Sequence, residues 1–371
     1  MRANLAMGIL FAYVNEKRVS ELTAERVMAS IPYGGRYRLV DFPLSNLVNA
    51  GVNKVGVITE QNYQSLMDHL GSGKAWDLSR KNEGLYLLPP FGTDHSRNDG
   101  KVESLNSIKV FLNASHEEYV ILSDCDYIAN IDYADALQYH MDNDADVTVI
   151  YRHTSVPDGV MSSIYTIDPE NRVRESIVRD KKNNNVNVGM GMYIMKRQYL
   201  IDLIDECYGK NLLDFDRIVV PMLINDAKVF GYEFKGTAFQ VTSLASYFDA
   251  NLALMDPKVR KELFINPKKP IYTKNRDDMP TKYGLGSKAE NSIVADGCVI
   301  DGEVENCILF RGAKVGKGAK LKNCVVMQDT VIGANSELNY VVVDKNVVID
   351  SGRKLAGYET YPVYIAKNSH V

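Results

Sequence analysis

The chain has 371 residues, is 45% hydrophobic and 24% charged, and sets 43 basic against 47 acidic side chains for a formal net charge of −4. That is more chain than one ordinary core needs, so two domains are expected, and the near-balanced charge gives no basis for nucleic-acid or membrane binding. Five scattered cysteines (Cys125, Cys207, Cys298, Cys307, Cys324) fit thiols used as small hydrophobes in a reducing cytoplasm and argue against a zinc site.

Taken in order, residues 4–14 read as a buried first strand; only Arg2 precedes the apolar run, which argues against a signal peptide. No run is long enough to span a bilayer. Paired glycines (Gly34, Gly35), two arginines (Arg36, Arg38) and Asp41 then precede a helix over 43–50. Residues 52–59 give a second parallel strand and 65–70 a helix. Lys74 in Gly71-Ser72-Gly73-Lys74 lacks phosphate-loop spacing, because Ala75 follows it, and reads as surface loop. A strand over 84–91 is followed by a polar loop over 93–100.

Residues 119–133, YVILSDCDYIANIDY, run from an apolar strand into Ser123-Asp124-Cys125-Asp126. Acids at the C-terminal end of a strand stand where α/β sheets bind ligands, and paired acids there hold Mg²⁺ beside phosphates. On the residues alone, the reading in which Asp124 or Asp126 merely caps the next turn stays open. Residues 145–152 and 164–175 are expected as two strands joined by a Pro-Asp-Gly loop, and 242–255 as a helix.

After residue 290 the texture changes. Val304, Leu321 and Leu338 stand 17 residues apart (321 − 304 and 338 − 321), as do Cys307, Cys324 and Val341, and Leu309, Val326 and Val343. Short β segments between glycine-bearing turns, near three hexapeptides per repeat, predict a left-handed parallel β-helix whose coils bury their apolar rows by stacking. Cys307 and Cys324 then pack in its core. The expected organisation is an α/β domain over 1–262, a linker over 263–289 and the β-helix over 290–371.

The segments PYGGRYRL-DFPLSN, SLMDHLGSGKAWDLSR and YVILSDCDYIANIDY resemble the bacterial ADP-glucose pyrophosphorylase (glucose-1-phosphate adenylyltransferase) family. In the third, Asp126, Ile128, Asp132 and Tyr133 match the family's V-I-L-A-G-D-H-I-Y-K-M-D-Y. The resemblance extends to GMGMYIM at 189–195, the strand beside the glucose phosphate, to a helix over 213–223, and to TSLASYFDANLALM. It implies a Rossmann-like, GT-A-like nucleotidyltransferase domain followed by the β-helix, and the Mg²⁺-dependent joining of ATP and glucose 1-phosphate into ADP-glucose and pyrophosphate.

Each phosphate-handling part of that resemblance is altered. The family's L-A-G-G-R-G-T-R-L is FAYVNEKRV here, with Tyr13, Val14 and Glu16 for the glycines and only Arg18 kept from its cations. Met28 stands for a lysine, Asp180 for the lysine that holds the sugar phosphate, and Gln240 for the second metal aspartate, leaving Asp126 as a relic of the metal site. One carboxylate in place of two cannot hold Mg²⁺ against a polyphosphate without large loss.

The pattern is similar to that of the GlgD-type subunit. The expectation is a cytoplasmic, non-catalytic, regulatory subunit of glycogen biosynthesis, with no cofactor of its own. Mg²⁺ is expected for a catalytic ADP-glucose pyrophosphorylase partner in a hetero-oligomer, taken as a tetramer. By resemblance, Arg38 and His69 mark a regulatory anion site for a phosphorylated sugar or phosphate; the residues alone leave open an ion-paired arginine and a satisfied helix histidine. A divergent but active nucleotidyltransferase is the alternative. A hexapeptide-repeat acyltransferase is disfavoured, since the only histidine past residue 153 is His370.

Overall fold

The computed structural model describes residues 5–89, 100–156 and 159–371, so the expected loop over 93–100 (apart from Gly100), Asn4, Pro157 and Asp158 lie outside it. The strand Ala6–Phe11 is buried at all six positions because it is central, parallel to both Lys54–Ile58 and Tyr119–Asp124. Gly8 lets the helix Asp41–Asn49 close on this strand; a Cβ there would stand 2.5 Å from the Leu47 side chain. Across the sheet the order runs Gly84–Leu88, Lys54–Ile58, Ala6–Phe11, Tyr119–Asp124, Asn183–Lys196, Val147–Val156, Val229–Glu233. The parallel half places its strand C-termini at one edge, and the long antiparallel strand Asn183–Lys196 brings its middle alongside that edge.

Two expected elements are corrected. The run 164–175 is a hairpin, Ser162–Ile167 and Val173–Arg179, because Asp168 Oδ1 accepts from the Glu170 and Arg172 backbone N–H groups and Asn171 turns at φ 62°. The helix over 213–223 begins as a wide turn, Phe215–Val219, and only Val220–Asp226 is regular. Pro221 is the physical reason, since it has no N–H to donate and is tolerated only in a first turn.

His140, on the helix Tyr133–Asp142, is buried under the sheet with Nδ1 2.8 Å from Thr148 Oγ1 and Nε2 without a partner. Burial pushes its pKa down to about 4. The unfolded chain therefore takes up a proton from about pH 6.5 downward while the fold resists it until about pH 4. Stability is full above pH 6.5 and falls by about 3 kcal/mol on the way to pH 4. Urea titrations at stepped pH should find that His140→Asn removes that part of the slope.

The stretch read as linker holds the end of the helix Pro257–Phe264 and, at Lys282–Tyr283, a strand paired with Val299–Ile300. That first coil carries solvent-exposed residues and so lacks the apolar signal. Beyond it, three parallel five-stranded sheets stack coil on coil. Val304, Leu321 and Leu338 lie in register, and the Cys324 backbone N–H donates to Cys307 Sγ at 3.3 Å.

Each side of the solenoid has its own chemistry. One side carries the row Lys288, Glu303, Lys320, Glu337, Lys354, whose alternating charge suits a solvated face. Another buries Ile308, Val325 and Val342 in one core with Tyr247, Phe248 and Leu254. That shared core fixes the β-helix against the α/β domain.

Candidate functional site: a degenerate cleft and an interdomain cation group

A cleft of about 420 Å³ opens at the C-terminal ends of Ala6–Phe11 and Tyr119–Asp124, with Glu16, Arg18, Lys101, Asp124, Arg217 and Gln240 among its walls. After Phe11 the chain turns back through Asn15, in the left-handed region at φ 65°. Asn15 Nδ2 donates to Asp126 Oδ2 at 2.7 Å. Gln240, placed opposite Tyr127 by a short antiparallel pair, donates Nε2 to the same oxygen at 2.9 Å. Asp126 is 1% exposed and its Oδ1 has no partner. Burial pushes its carboxyl above the usual range, and the Gln240 and Asn15 amides work against that shift.

Asp124 is held by a different group. Lys101, at the start of the helix Lys101–Ser107, places Nζ 2.8 Å from Asp124 Oδ2 and 2.8 Å from Asp216 Oδ2. Burial alone would depress this ammonium; the two carboxylates overcome it and hold the pKa well above the ordinary lysine value. Gly191, at φ +67°, passes over the pair so closely that a Cβ would meet Asp124 Oδ2 at 2.1 Å. Lys101, Asp216 and Asn15 escape sequence reading, because their joint role exists only once three separate segments meet.

The altered loop is filled from within. The Met28 backbone N–H donates to Glu16 Oε1 at 2.9 Å, and burial, with Glu60 nearby, pushes Glu16 up to about 7. Tyr13 shares a 2.6 Å hydrogen bond with Ser104. Arg18 is partly buried, and burial and the neighbouring Arg217 both lower its pKa. Asp180 is exposed just past the strand Val173–Arg179, while Val178 of that strand lines the cleft.

A Mg²⁺ ion does not fit these residues. It needs several anionic or carbonyl oxygens, whereas Asp126 and Asp124 each offer a single uncommitted oxygen, the first beside a neutral amide and the second on a carboxylate that already faces an ammonium.

The two residues expected to hold a regulatory anion meet at Asp41, which is fully buried. His69 Nε2 lies 2.6 Å from Asp41 Oδ1, and the Arg38 backbone N–H donates to Asp41 Oδ2 at 2.9 Å. Burial lowers the pKa of His69, with Asp41 opposing. The Arg38 guanidinium reaches Ser65, donating to its carbonyl at 2.5 Å and its hydroxyl at 2.8 Å, and burial brings its pKa down to about 10.

Arg38 also belongs to a cation group drawn from both domains. Arg26 Nη2 pairs with Asp344 Oδ1 of the solenoid at 2.8 Å, both side chains all but inaccessible, while Arg26 Nη1 is buried without a partner. Asp344 is further occupied by the Tyr364 hydroxyl at 2.5 Å and the Lys345 backbone N–H at 2.6 Å. Lys345 stands within electrostatic reach of Arg38, Arg26 and Lys367. Arg26 and Lys345 are far apart in sequence, and nothing in the chain read linearly joins them.

The nucleotidyl transferase family pattern matches residues 15–256 and a GlmU-like, C-terminal hexapeptide pattern matches 279–360. The glycogen biosynthesis protein GlgD of Bacillus subtilis is 35% identical over 86% of this chain and 83% of its own length. Glucose-1-phosphate adenylyltransferases of Mycoplasma mobile (32%, over 81% of this chain and 80% of the relative) and Geobacillus stearothermophilus (31%, over 85% and 83%) are also similar. The chain belongs to the glucose-1-phosphate adenylyltransferase family. Within that family it has the expected architecture, an α/β nucleotidyltransferase domain followed by a left-handed hexapeptide β-helix. Its cleft differs from the family's expected chemistry in holding carboxylates against amides and an ammonium. No helix among the described residues is long and apolar enough to cross a membrane.

Proposed function

We propose that this chain serves glycogen biosynthesis as a regulatory, non-catalytic subunit, acting through a catalytic glucose-1-phosphate adenylyltransferase homologue in a hetero-oligomer. The observation that carries the reading is the internal occupation of the cleft acids: Asn15 and Gln240 take one oxygen of Asp126, and Lys101 bridges Asp124 and Asp216. Phosphoryl transfer of this kind works by positioning and by offsetting charge on phosphate oxygens. A cleft that spends its ammonium on its own carboxylates and adds Glu16 to the phosphate loop supplies little of either. Mg²⁺ belongs to the partner in this reading, and a subunit can change that partner only by favouring one of its states.

A phosphorylated sugar or phosphate effector is supported by the cations at the domain junction, with Arg38 and Arg26 as the anion-facing groups. Arginine forks suit phosphate oxygens, and Arg26 Nη1 is a buried donor with no acceptor.

The test is a titration. Pure chain with ATP, glucose 1-phosphate and Mg²⁺ is expected to release pyrophosphate at background. Added to a catalytic homologue, it should form a mixed oligomer by size exclusion and alter maximal rate, substrate affinity or effector response. Arg38→Ala should weaken the effector part of the response and leave assembly intact. Two unmixed peaks with unchanged kinetics refute the regulatory reading. Turnover by the pure chain at an ordinary enzymatic rate, abolished by Asp126→Asn, would establish the divergent-enzyme alternative in its place.

A further inference from the structure

A second groove, of about 690 Å³, lies between the helix Pro257–Phe264 and the loop that follows the strand Val229–Glu233, and it shares no residue with the cleft. On the helix, Lys258 and Lys261 stand three apart and Ile265 four further on, so the three share one face. Ile265 keeps that register because its backbone N–H still donates to the Lys261 carbonyl, at 3.1 Å. Phe234 and Lys235 line the groove from the loop side.

The walls are tied together by side-chain hydrogen bonds. Thr237 Oγ1 donates to Glu262, joining loop to helix. Asn130 Nδ2 donates to the Leu263 carbonyl at 3.0 Å and to the Lys269 carbonyl at 2.9 Å, which pins the helix end and the turn after it. Asn130 also lines the groove, and its Oδ1 is buried without a donor.

The positive charge here is uncommitted. Glu262 is the only carboxylate among the lining residues, and it already accepts from Thr237. Lys258 and Lys261 make no side-chain hydrogen bond or ion pair among the described residues, and Lys235 has only the exposed Glu233, at 3.4 Å. Beside these ammonium groups Ile265 leaves 66% of its surface exposed. Ammonium groups next to open apolar carbon suit a ligand with phosphate at one end and an apolar, flat body at the other. Asn130 Oδ1 adds an acceptor for an amine or hydroxyl carried on that body.

We propose that this groove binds a nucleoside polyphosphate. Its phosphates lie on Lys258, Lys261 and Lys235, its base lies against Ile265 and Phe234, and a nucleoside N–H or O–H donates to Asn130 Oδ1. The site binds and does no chemistry. It stands apart from the junction cations, so a failed partner titration leaves it standing, and its own failure leaves the regulatory reading standing.

The probe is ATP without added metal, and the readout is amine labelling at each lysine of the unaltered chain, followed by peptide mass spectrometry. ATP should slow the labelling of Lys258 and Lys261 by about fivefold or more, while the exposed Lys314 and Lys317 of the solenoid label as before. That protection should fade as salt is raised. Because the readout is local to each lysine, nucleotide held in the cleft does not mimic it. Tripolyphosphate, which has the charge but no nucleoside, should protect less at equal concentration, and Ile265→Ser should bring ATP down to that level. Labelling of Lys258 and Lys261 that ATP leaves unchanged overturns the proposal. Equal protection by tripolyphosphate, or by a glutamate-rich peptide, overturns the nucleoside assignment.

Discussion

Leu321→Asp is expected to unfold the β-helix and, with it, to abolish the mixed oligomer proposed above. Leu321 is 2% exposed and stacks between Val304 and Leu338 in the row that runs up the solenoid interior. An aspartate there loses the apolar contacts and buries a charge with no partner, together costing about 4 kcal/mol or more. A whole domain is stabilised by only about 5–15 kcal/mol, and each coil depends on its neighbours, so the loss spreads along the stack. The same solenoid shares a core with the α/β domain through Ile308, Val325 and Val342, so the damage reaches both. Size exclusion and thermal melting should register smaller or aggregated species with a much lower midpoint. Wild-type size and melting temperature would mean that this row is not the interior one.

Lys101→Met should have the second-largest effect. The substitution keeps the side chain's length and apolar stem but removes the cation that pairs with Asp124 and Asp216, leaving the two carboxylates without it. Breaking a buried ion pair from one side costs about 3–5 kcal/mol, because a charge is left without compensation. Burial already raises the pKa of Asp124 in the parent chain, with Lys101 opposing and Asp216 adding to it; in the variant the opposing charge is gone and the rise is larger. A group raised in this way gives stability that is present below its unfolded value and lost as pH rises through the folded one. The deficit relative to the parent chain should therefore be largest at neutral and alkaline pH and shrink toward pH 4. Urea titrations at several pH values check both size and direction; a pH-independent deficit would mean that Lys101 acts by packing rather than charge.

Not all of the cleft was legible in advance. Asp124 and Asp126 could be placed at the sheet edge because they follow a short apolar strand, and the family resemblance singled out Asp126 between them. That same resemblance showed Tyr13, Val14 and Glu16 at glycine positions and neutral Gln240 at an acid's place. Which groups engage the cleft acids was not visible. Lys101 sits at the start of a helix, Asp216 in a wide turn and Asn15 in a left-handed bend, and none of those local settings announces a common target. His69 and Arg38 could be named as a pair, but not that they converge on Asp41, nor that Arg26 pairs with Asp344 across the domain junction.

By itself the sequence determined the periodic parts. A 17-residue spacing of apolar side chains can be satisfied by stacking coils, and a continuous apolar run such as AMGILF only by a strand covered on both faces, so these elements follow from local pattern and burial. It shows as well, against the family's pattern, which phosphate-handling positions carry other side chains. The tertiary structure alone decided where the charges went: which ammonium neutralises Asp124, which amides hold Asp126, and which guanidinium pairs with Asp344 at the junction. The reason is physical. Apolar burial is non-directional and reads out as periodicity, whereas the state of a buried charge depends on distances of a few ångströms between segments that no spacing along the chain encodes.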